Sequence, residues 1–452
     1  MSRGGTLRVR PGAALRGTVV PPGDKSMSHR AILLAALAPG TSRVDNLLVA
    51  GVTRPMLAAL SALGVPWRLD GTTLTVESPG PRGWRAPEAP IHCGHSATTM
   101  RLLAAALAVA GVPAVLDGSP GLRRRPMRRV TEPLQRMGVP IADTDGHAPL
   151  TLAARDPNQP LRGGEFTLPV ASAQVKSAIL LAGLAAAEPV TVREPGPSRD
   201  HTERLLRGLG LRVATPARHT VTLYPPTEPL PPLRLRLPGD ISAAAFLIVA
   251  ALITPGSQVT LERVGLNPTR TGLLDALQRM GAALTVTPQG TAYGEPYGRI
   301  VARHSPNLRG ITVTGDLVVR MIDEFPIFAV AAAYAHGTTV VRDAAELRGK
   351  ESDRIRALVA SLRALGVEAV EHEDGFSVHG QGRVQGGLVD AHHDHRLAMA
   401  WTVAGLAARR EVRVRGAAMF RESYPDFVTD LQALGAQVHF DAAAQERTHH
   451  EA

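Results

Sequence analysis

Lysine is almost absent from the basic residues of this chain. The sequence contains 50 lysines and arginines, and only Lys25, Lys176 and Lys350 are lysines. Each lies in a polar segment that leads into a helix-like pattern: PGDKSMSHR, ASAQVKSA and RGKESDR. A lysine ammonium is compact and titrates when buried, whereas an arginine guanidinium is planar and stays charged. We therefore interpret the three lysines as candidates for positions where chemistry requires an ammonium group.

Other polar residues cluster at the predicted helix starts. A helix N-terminus offers unpaired N–H groups and the positive end of the dipole, so it favours anions, and a cation there needs an anion or carboxylate nearby. Serine, threonine and aspartate at such positions also serve as ordinary caps, a reading that fits Ser242 and Asp200 equally well. The cluster comprises Lys25, Ser26, Arg30, His95, Ser96, Thr98, Arg101, Arg123, Arg124, Arg125, Ser172, Ala173, Gln174, Ser198, Arg199, Asp200, Asp240, Ser242, Asp323, Glu324, Lys350, Glu351, Arg354, Asp394, His395 and Arg396.

Three carboxylates in this set are candidates for proton transfer. Asp323, Glu324 and Glu351 lie among cations that would lower their pKa, so one could act as a general base and another as an acid–base relay. For Glu351 the alternative is an ion pair with Lys350 or Arg354.

Other motifs in the sequence give only weak evidence for a functional site. His392 to His395 are metal-ligand types, but consecutive residues at a helix start diverge, so we predict no metal site. Nothing around Cys93 implies a base that would make it a nucleophile. Gly349-Lys350 is followed by glutamate, which excludes a Walker A loop.

Composition restricts the class of protein. The 452 residues are enough for two or three domains, and no apolar run is long enough to span a bilayer, so we expect a soluble cytoplasmic protein. The net charge of +10 favours anionic partners. Aromatic residues make up only 4%, which argues against a base-stacking surface for nucleic acid.

The chain repeats one unit six times. A pattern L-x-x-[LM]-G closes a helix at intervals of about 70 to 85 residues, and a short apolar strand follows each glycine. An alanine-rich helix precedes each of these by about thirty residues. The closing glycines are Gly64, Gly138, Gly210, Gly281, Gly366 and Gly435.

The units group into two halves. PPGDKSMSHRAILLAALAPG in unit one is similar to LPGDISAAAFLIVAALITPG in unit four, which predicts crossings between the halves near Pro22 and Pro238. We expect one domain of residues 23–238 and a second of residues 1–22 with 239–440. Residues 441–452 are expected to form a flexible tail.

Ten segments resemble the 5-enolpyruvylshikimate-3-phosphate (EPSP) synthases, and the similarity extends from Pro22 to Asp426. SAQVK and SRDHTER resemble the second bacterial class of that family. The segments are PGDKSMSHRA, SATTMR, RRRPM, ASAQVKSAILLAGL, SRDHTERLL, PGDISAAAF, IDEFPIFAVAAA, GKESDRI, DHRLAMA and SYPDF.

The resemblance implies an α/β fold of two domains, each of three βαβαββ units, in the inside-out barrel arrangement of that family. It implies transfer of the carboxyvinyl group of phosphoenolpyruvate to the 5-hydroxyl of shikimate 3-phosphate, by addition and then elimination of phosphate. It also implies a chain without a metal or organic cofactor, and homologues of this kind are commonly monomers. The N-terminal strand is expected to belong to the second domain, on the phosphoenolpyruvate side.

The resemblance also assigns roles by position. Asp323 would accept the 5-hydroxyl proton, and Glu351 and Lys25 would handle the proton at the enolpyruvyl methylene. Residues expected to bind shikimate 3-phosphate are Lys25, Ser26, Arg30, Ser172, Ala173, Gln174, Arg199, Asp323 and Lys350. Residues expected to bind phosphoenolpyruvate are Lys25, Ala97, Thr98, Arg125, Gln174, Glu351, Arg354 and Arg396.

Three positions depart from the family pattern. His95 replaces an asparagine, and Ala97 replaces the glycine of the glyphosate-sensitive class, so its methyl group is expected to reduce glyphosate affinity. Before SYPDF the lysine of the first class is missing, and Arg421 and Glu422 stand there with no role carried over. Lys176 has no role carried over from the family either, and we expect it to pair with an acid or to line the substrate domain.

Three alternatives remain at this point. An enolpyruvyl transferase acting on UDP-N-acetylglucosamine has the same six units but typically a Lys-Asn pair and a loop cysteine, whereas Lys25 is followed by Ser26. An RNA 3′-phosphate cyclase would need a histidine nucleophile and a nucleotide site, for which no motif is seen. The third is a non-catalytic nucleic-acid binder.

Overall fold

The computed structural model describes residues 4–442. Within them the helices are α1 (Lys25–Leu37), α2 (Arg54–Ala62), α3 (Ala97–Ala110), α4 (Pro120–Arg123), α5 (Arg128–Arg136), α6 (Ala173–Ala182), α7 (His201–Gly208), α8 (Ile241–Ile253), α9 (Gly272–Arg279), α10 (Asp316–Arg320), α11 (Phe325–Tyr334), α12 (Arg354–Ala364), α13 (His395–Gly405) and α14 (Phe427–Ala433).

The strands of the same residues are short. They are β1 (Thr6–Arg10), β2 (Arg16–Val19), β3 (Gly40–Asp45), β4 (Trp67–Asp70), β5 (Thr73–Ser78), β6 (Ile91–His92), β7 (Ala114–Asp117), β8 (Ile141–Thr144), β9 (His147–Leu152), β10 (Gly164–Thr167), β11 (Val190–Arg193), β12 (Val213–Ala217), β13 (Thr220–Leu223), β14 (Arg234–Arg236), β15 (Gln258–Gly265), β16 (Ala283–Ala292), β17 (Glu295–Arg303), β18 (Thr312–Val313), β19 (His336–Val341), β20 (Glu368–His372), β21 (Gly375–Gln381), β22 (Gly387–Asp390), β23 (Val412–Arg415) and β24 (Gln437–Asp441).

The predicted six-fold repeat is confirmed by the sheets. The described strands form six four-stranded sheets with the same pattern, for example β6-β7-β9-β8 and β10-β11-β13-β12. In each sheet one edge strand is parallel to its neighbour, and the other two pairings are antiparallel. All six predicted closing glycines have positive φ, between 73° and 108°, which is the left-handed conformation that ends a helix. The fold is therefore two domains, each of three repeated α/β units.

The chain exchanges strands where the halves meet. β2 precedes α1 in sequence but pairs in parallel with β15, and β14 precedes α8 but pairs in parallel with β3. β1 lies between β23 and β24, so the N-terminal strand completes the last sheet. Gly23 and Gly239 form an isolated bridge where the two segments pass each other.

The buried apolar side chains form two separate clusters. One runs from Met27 to Leu237, and the other combines Leu7, Leu15 and Val19 with residues from Ile241 to Val438. The first helix of every unit lies inside one of these clusters, and α8 is buried along its whole length. Helices that are apolar on all sides require such burial. Their N-terminal ends, where the polar residues stand, are thus held by rigid surroundings.

Two sequence expectations differ from the observed elements. Arg123-Arg124-Arg125-Pro126 does not begin a long helix, because α4 ends at Arg123 and α5 starts at Arg128. The expected tail begins at Asp441, which still pairs with Thr6 at the end of β24. Residues 443–452 of that tail lie outside the described part of the chain. Over residues 4–442, no helix is both long and apolar enough to cross a membrane.

Candidate active site

Lys25 is the first residue of α1 and faces both halves of the chain. Its backbone N–H donates to Asp240 Oδ2 at 3.1 Å, so a residue of the first half is tied to the start of α8. Burial and the nearby Arg396 lower the pKa of Lys25, although Asp323 and Glu351 act in the opposite direction. The ammonium group is therefore desolvated and within electrostatic reach of the two carboxylates that the sequence analysis selected.

Asp323 precedes α11 and lies in a cluster of arginines. Its carboxylate accepts from Arg199 Nη2 at 2.6 Å, and it is 3.7 Å from both Arg354 Nη1 and Arg396 Nη2. Burial alone would raise the pKa of Asp323, but Arg396, Arg199 and the lysines outweigh it and hold it well below its usual range. Three arginines from three separate segments thus meet at one ionised carboxylate.

Glu351 and Arg354 form the second charged group. Arg354 Nη2 donates to Glu351 Oε2 at 2.7 Å, and Nε donates to Asp394 Oδ2 at 2.7 Å. Asp394 also caps α13 by accepting from the N–H of Arg396 at 2.9 Å. Burial would raise the pKa of Glu351, but Arg354 and other nearby cations lower it overall. The ion pair that was one reading of Glu351 exists, and Arg354 is its partner.

Arg125 and Lys350 lie at the side of this group. Arg125 Nη2 is 3.6 Å from Glu351 Oε1, and both side chains are 32% exposed. Lys350 is paired with Glu346, four residues earlier, rather than with Glu351. It still contributes to the low pKa of Asp323, so it belongs to the same cluster. The loop after α4 therefore brings a first-half cation to a second-half carboxylate.

The first half contributes a set of neutral and cationic side chains. Gln174 Oε1 accepts from Arg101 at 2.5 Å, and its amide nitrogen donates to Thr98 Oγ1 at 2.9 Å. Arg30 donates to Thr202 Oγ1 and Ser177 Oγ, each at 2.7 Å. Three more candidates occupy first turns: Ser26 is the second residue of α1, Ala97 the first of α3, and Ala173 the first of α6, capped by Ser172.

Lys176 pairs with acids, as one of its two expected roles had it, and the structure shows which ones. Its ammonium is 2.8 Å from a carboxylate oxygen of Glu194 and 2.8 Å from one of Glu203, and all three side chains are at most 6% exposed. Glu194 also accepts from the N–H of Ser172 at 2.8 Å and from Ser198 Oγ at 2.7 Å. The lysine therefore neutralises two buried acids beneath the loops that carry Ser172 and Arg199.

Arg270 was missed by the sequence analysis. It follows β15, and its guanidinium donates to Asp24 Oδ2 at 3.0 Å and to Asp240 Oδ1 at 3.2 Å. The segment GLNPTRTG has no charge pattern that marks it, because the two partners come from distant parts of the chain. The only available signal was that Pro-Gly-Asp occurs twice, which implies two similar carboxylates near one another.

The weaker candidates occupy other roles. Cys93 is buried, and burial raises the pKa of its thiol to about 12, so it is not activated as a nucleophile. Asp394, the third residue of the His392–His395 segment, forms an ion pair with Arg354. Arg421 stacks 4.7 Å from the ring centre of Phe440. His95 Nδ1 lies 2.6 Å from Ser119 Oγ.

Glu422 lies against Gly51, where an added Cβ would be 2.1 Å from its Oε2. Gly51 belongs to the first half and Glu422 to the second, so the chain approaches itself closely here. Any larger residue than glycine at position 51 would displace this carboxylate.

The geometry agrees with the comparisons with known proteins. The sequence profile of EPSP synthase (3-phosphoshikimate 1-carboxyvinyltransferase) matches residues 9–431. The 3-phosphoshikimate 1-carboxyvinyltransferase of Geobacter sulfurreducens is 46% identical over 434 residues, which cover 96% of this chain and all of that protein. The enzyme of the same name from Roseiflexus sp. is 46% identical over 93% of this chain and 96% of its own length.

A solved structure extends the similarity to the fold. The EPSP synthase of Acinetobacter baumannii superimposes with a TM-score of 0.89 and 39% identity, over 97% of this chain and all of that one. Sequence and structure agree over nearly the whole length, so this chain belongs to the EPSP synthase family.

Proposed function

We propose that this protein is a transferase of the shikimate pathway. It moves the carboxyvinyl group of phosphoenolpyruvate to the 5-hydroxyl of shikimate 3-phosphate and releases inorganic phosphate. Family membership supports this assignment, and one observation carries it: Arg199, Arg354 and Arg396, from three separate segments, lie within 3.7 Å of the Asp323 carboxylate. The sugar-nucleotide transferase, the RNA cyclase and the non-catalytic binder are not favoured.

In this proposal the cations divide between two anionic substrates. Shikimate 3-phosphate lies on the first-half side, and phosphoenolpyruvate lies between the halves. Two polyanions need several fixed cations, and a site that excludes water strengthens each of these pairs. The residues proposed to bind shikimate 3-phosphate are Lys25, Ser26, Arg30, Ser172, Ala173, Gln174, Arg199, Asp323 and Lys350. The residues proposed to bind phosphoenolpyruvate are Lys25, Ala97, Thr98, Arg125, Gln174, Glu351, Arg354 and Arg396.

The addition step needs one proton acceptor and one proton donor. The oxygen of the 5-hydroxyl forms a bond to C2 of phosphoenolpyruvate, Asp323 accepts the hydroxyl proton, and C3 gains a proton to become a methyl group. Lys25 suits the donor role, because its lowered pKa makes the ammonium a stronger acid than an ordinary lysine. The low pKa of Asp323 keeps it ionised, and a bound phosphate that engages the same arginines would restore its basicity.

The elimination step reverses the proton movement at C3. A base removes a proton from the methyl group, the C2–O bond to phosphate breaks, and the double bond forms again. Glu351 suits this role because nearby cations keep it ionised. Arg125, Arg354 and Arg396 are available to stabilise the charge on the departing phosphate. The acid and base roles at C3 then fall on Lys25 and Glu351, which are residues of opposite charge.

The remaining assignments are part of the same proposal. We assign residues 23–238 to the shikimate 3-phosphate domain and residues 1–22 with 239–440 to the phosphoenolpyruvate domain, in keeping with the two buried clusters. The protein is proposed to act in the cytoplasm as a monomer, without a cofactor, nucleic acid or membrane partner.

The test is phosphate release with both substrates and with each omitted in turn. Phosphate should appear only when shikimate 3-phosphate and phosphoenolpyruvate are both present. UDP-N-acetylglucosamine in place of shikimate 3-phosphate should give none. Release that depends on the sugar nucleotide, or that needs no acceptor, would contradict the proposal.

A further inference from the structure

Arg270 joins the two halves of the molecule at their corresponding helices. Its side chain is 3% exposed, and it contacts Asp24 and Asp240 at 3.0 and 3.2 Å. Asp24 caps α1 by accepting from the N–H of Met27, and Asp240 caps α8 by accepting from the N–H of Ser242. One guanidinium therefore holds the first turns of two helices that belong to different cores.

The same guanidinium extends to a third helix. Arg270 Nη2 donates to Ser242 Oγ at 2.8 Å, and that hydroxyl donates to Glu324. Glu324 stands directly before α11 and directly after Asp323. The position of the proposed base is thus linked to Arg270 through one hydroxyl and one carboxylate.

A fourth helix is reached through His201, the first residue of α7. Arg270 Nη1 lies 3.2 Å from His201 Nε2, and His201 Nδ1 lies 2.7 Å from Glu295 Oε1. Because arginine only donates, Nε2 accepts and Nδ1 donates to Glu295. Asn267 donates to the other oxygen of Glu295 at 3.0 Å. Arg199 lies two residues before His201, so both partners of the Arg199–Asp323 pair are held near Arg270.

The arrangement is more than charge compensation. A buried arginine that only needed neutralising would be satisfied by one carboxylate, but here two capping carboxylates, a hydroxyl and an imidazole converge on it. Asp240 also accepts from the N–H of Lys25 at 3.1 Å. Lys25 is therefore linked to Arg270 through the Asp240 carboxylate. Asp323 is linked to Arg270 through Ser242 and the adjacent residue Glu324.

We propose that Arg270 is a positioning residue for carboxyvinyl transfer. It fixes Lys25 and Asp323 relative to each other across the two halves and contacts neither substrate. This inference rests on the proposed function. Displacement of a reacting group by about 1 Å can lower a rate about 100-fold, so loss of Arg270 should act mainly on kcat.

Binding of shikimate 3-phosphate alone provides the contrast. Ser172, which caps α6, and Gln174 in its first turn are proposed to bind this substrate and are not among the hydrogen-bond partners of Arg270. Lys25 and Arg199 also belong to the proposed shikimate 3-phosphate group and are held through Arg270. The binary Kd should therefore weaken when Arg270 is replaced, but by no more than about tenfold, because the remaining first-half groups keep their own hydrogen bonds. A purely structural role would instead lower thermal stability and leave kcat per folded molecule unchanged.

The experiment compares Arg270→Ala and Arg270→Lys with a control, Arg155→Lys. Arg155 is partly exposed and donates to backbone oxygens of the first half, away from the site. We expect kcat of the alanine variant to fall about 100-fold and that of the lysine variant to fall less. Millimolar guanidinium should restore part of the lost rate to the alanine variant, since the site retains Asp24 and Asp240. The control should keep the wild-type kcat.

Other results would contradict the proposed role of Arg270. The proposal is wrong if both variants keep kcat within about threefold, if the binary Kd weakens as much as kcat falls, or if guanidinium restores nothing. Failure of both variants to fold would show that Arg270 serves stability alone, which also overturns the proposal. Absence of phosphate release by the wild-type protein would instead refute the proposed function.

Discussion

Arg199 and Asp323 form an ion pair across the gap between the two cores, with 2.6 Å between Nη2 and Oδ2. Arg199 precedes α7 in the first core, and Asp323 precedes α11 in the second. The side chains are 20% and 17% exposed, so water screens the pair only in part. The proposed base and a proposed substrate-binding cation are therefore each other's partners in this structure.

Replacing Arg199 by glutamine should affect one substrate more than the other. Removal of one partner of a desolvated charge pair costs about 2–5 kcal/mol, so the KM for shikimate 3-phosphate should rise at least about 30-fold. The KM for phosphoenolpyruvate should change much less. Arg218→Gln is a matched control, because Arg218 pairs with Asp316 but is 77% exposed. Equal changes in both KM values would contradict the assignment of Arg199.

The pH dependence of the reaction should report Lys25. Burial lowers its pKa, so the ammonium loses its proton at a lower pH than the usual 10.5. If Lys25 is the proton donor, kcat falls as pH rises through that lowered pKa, and the alkaline limb begins below the range of a free lysine. Measurement of kcat from neutral to alkaline pH checks this.

Lys25→Arg provides the comparison for that profile. Arginine does not titrate in this range, so the variant should lose activity and also lose the alkaline limb. A variant that retains the same limb would show that another group titrates.

Lys176→Met should destabilise the first core. The change leaves Glu194 and Glu203 buried without their cation, which costs about 3–5 kcal/mol and lowers Tm by roughly 6–20 °C. The pKa of Lys176 is raised in the folded state, because Glu203 and Glu194 outweigh burial. Its stabilisation is therefore complete below the unfolded pKa and is lost only as pH rises through the raised one.

Calorimetry at neutral pH should show this full decrease for Lys176→Met. Arg43→Met removes an ion pair with Asp45 on a side chain that is 62% exposed and should shift Tm by no more than about 2–4 °C. Shifts of similar size in the two variants would contradict the role of Lys176.

Ala97→Gly should increase sensitivity to glyphosate. Ala97 is the first residue of α3, is 3% exposed and precedes Thr98, which contacts Gln174. Its methyl group is expected to meet the larger inhibitor but not phosphoenolpyruvate. The inhibition constant should fall at least about tenfold in the glycine variant, with little change in the KM for phosphoenolpyruvate. A sub-micromolar inhibition constant for the wild-type protein would contradict this.

The repeat and the helix starts were predictable because both are local. A glycine just past the last turn of a helix can adopt the positive φ that ends it, and the six closing glycines marked the six units without any long-range information. The same holds for the first turns that carry Lys25, Ser172 and Asp394. The segment around Arg123 has no long helix pattern, so its helix start was predicted wrongly. The helix expected from Arg123 begins at Arg128.

Most of the residues at helix starts could be predicted from the amino-acid order alone, because capping and dipole effects act within one turn. It could not determine their partners. Lys176 is neutralised by two glutamates from other elements, and Arg270 reaches Asp24 across 246 residues. These pairs depend on the folded chain, because a buried charge is satisfied by whichever opposite charge the fold brings within a few ångströms, whatever its distance along the chain.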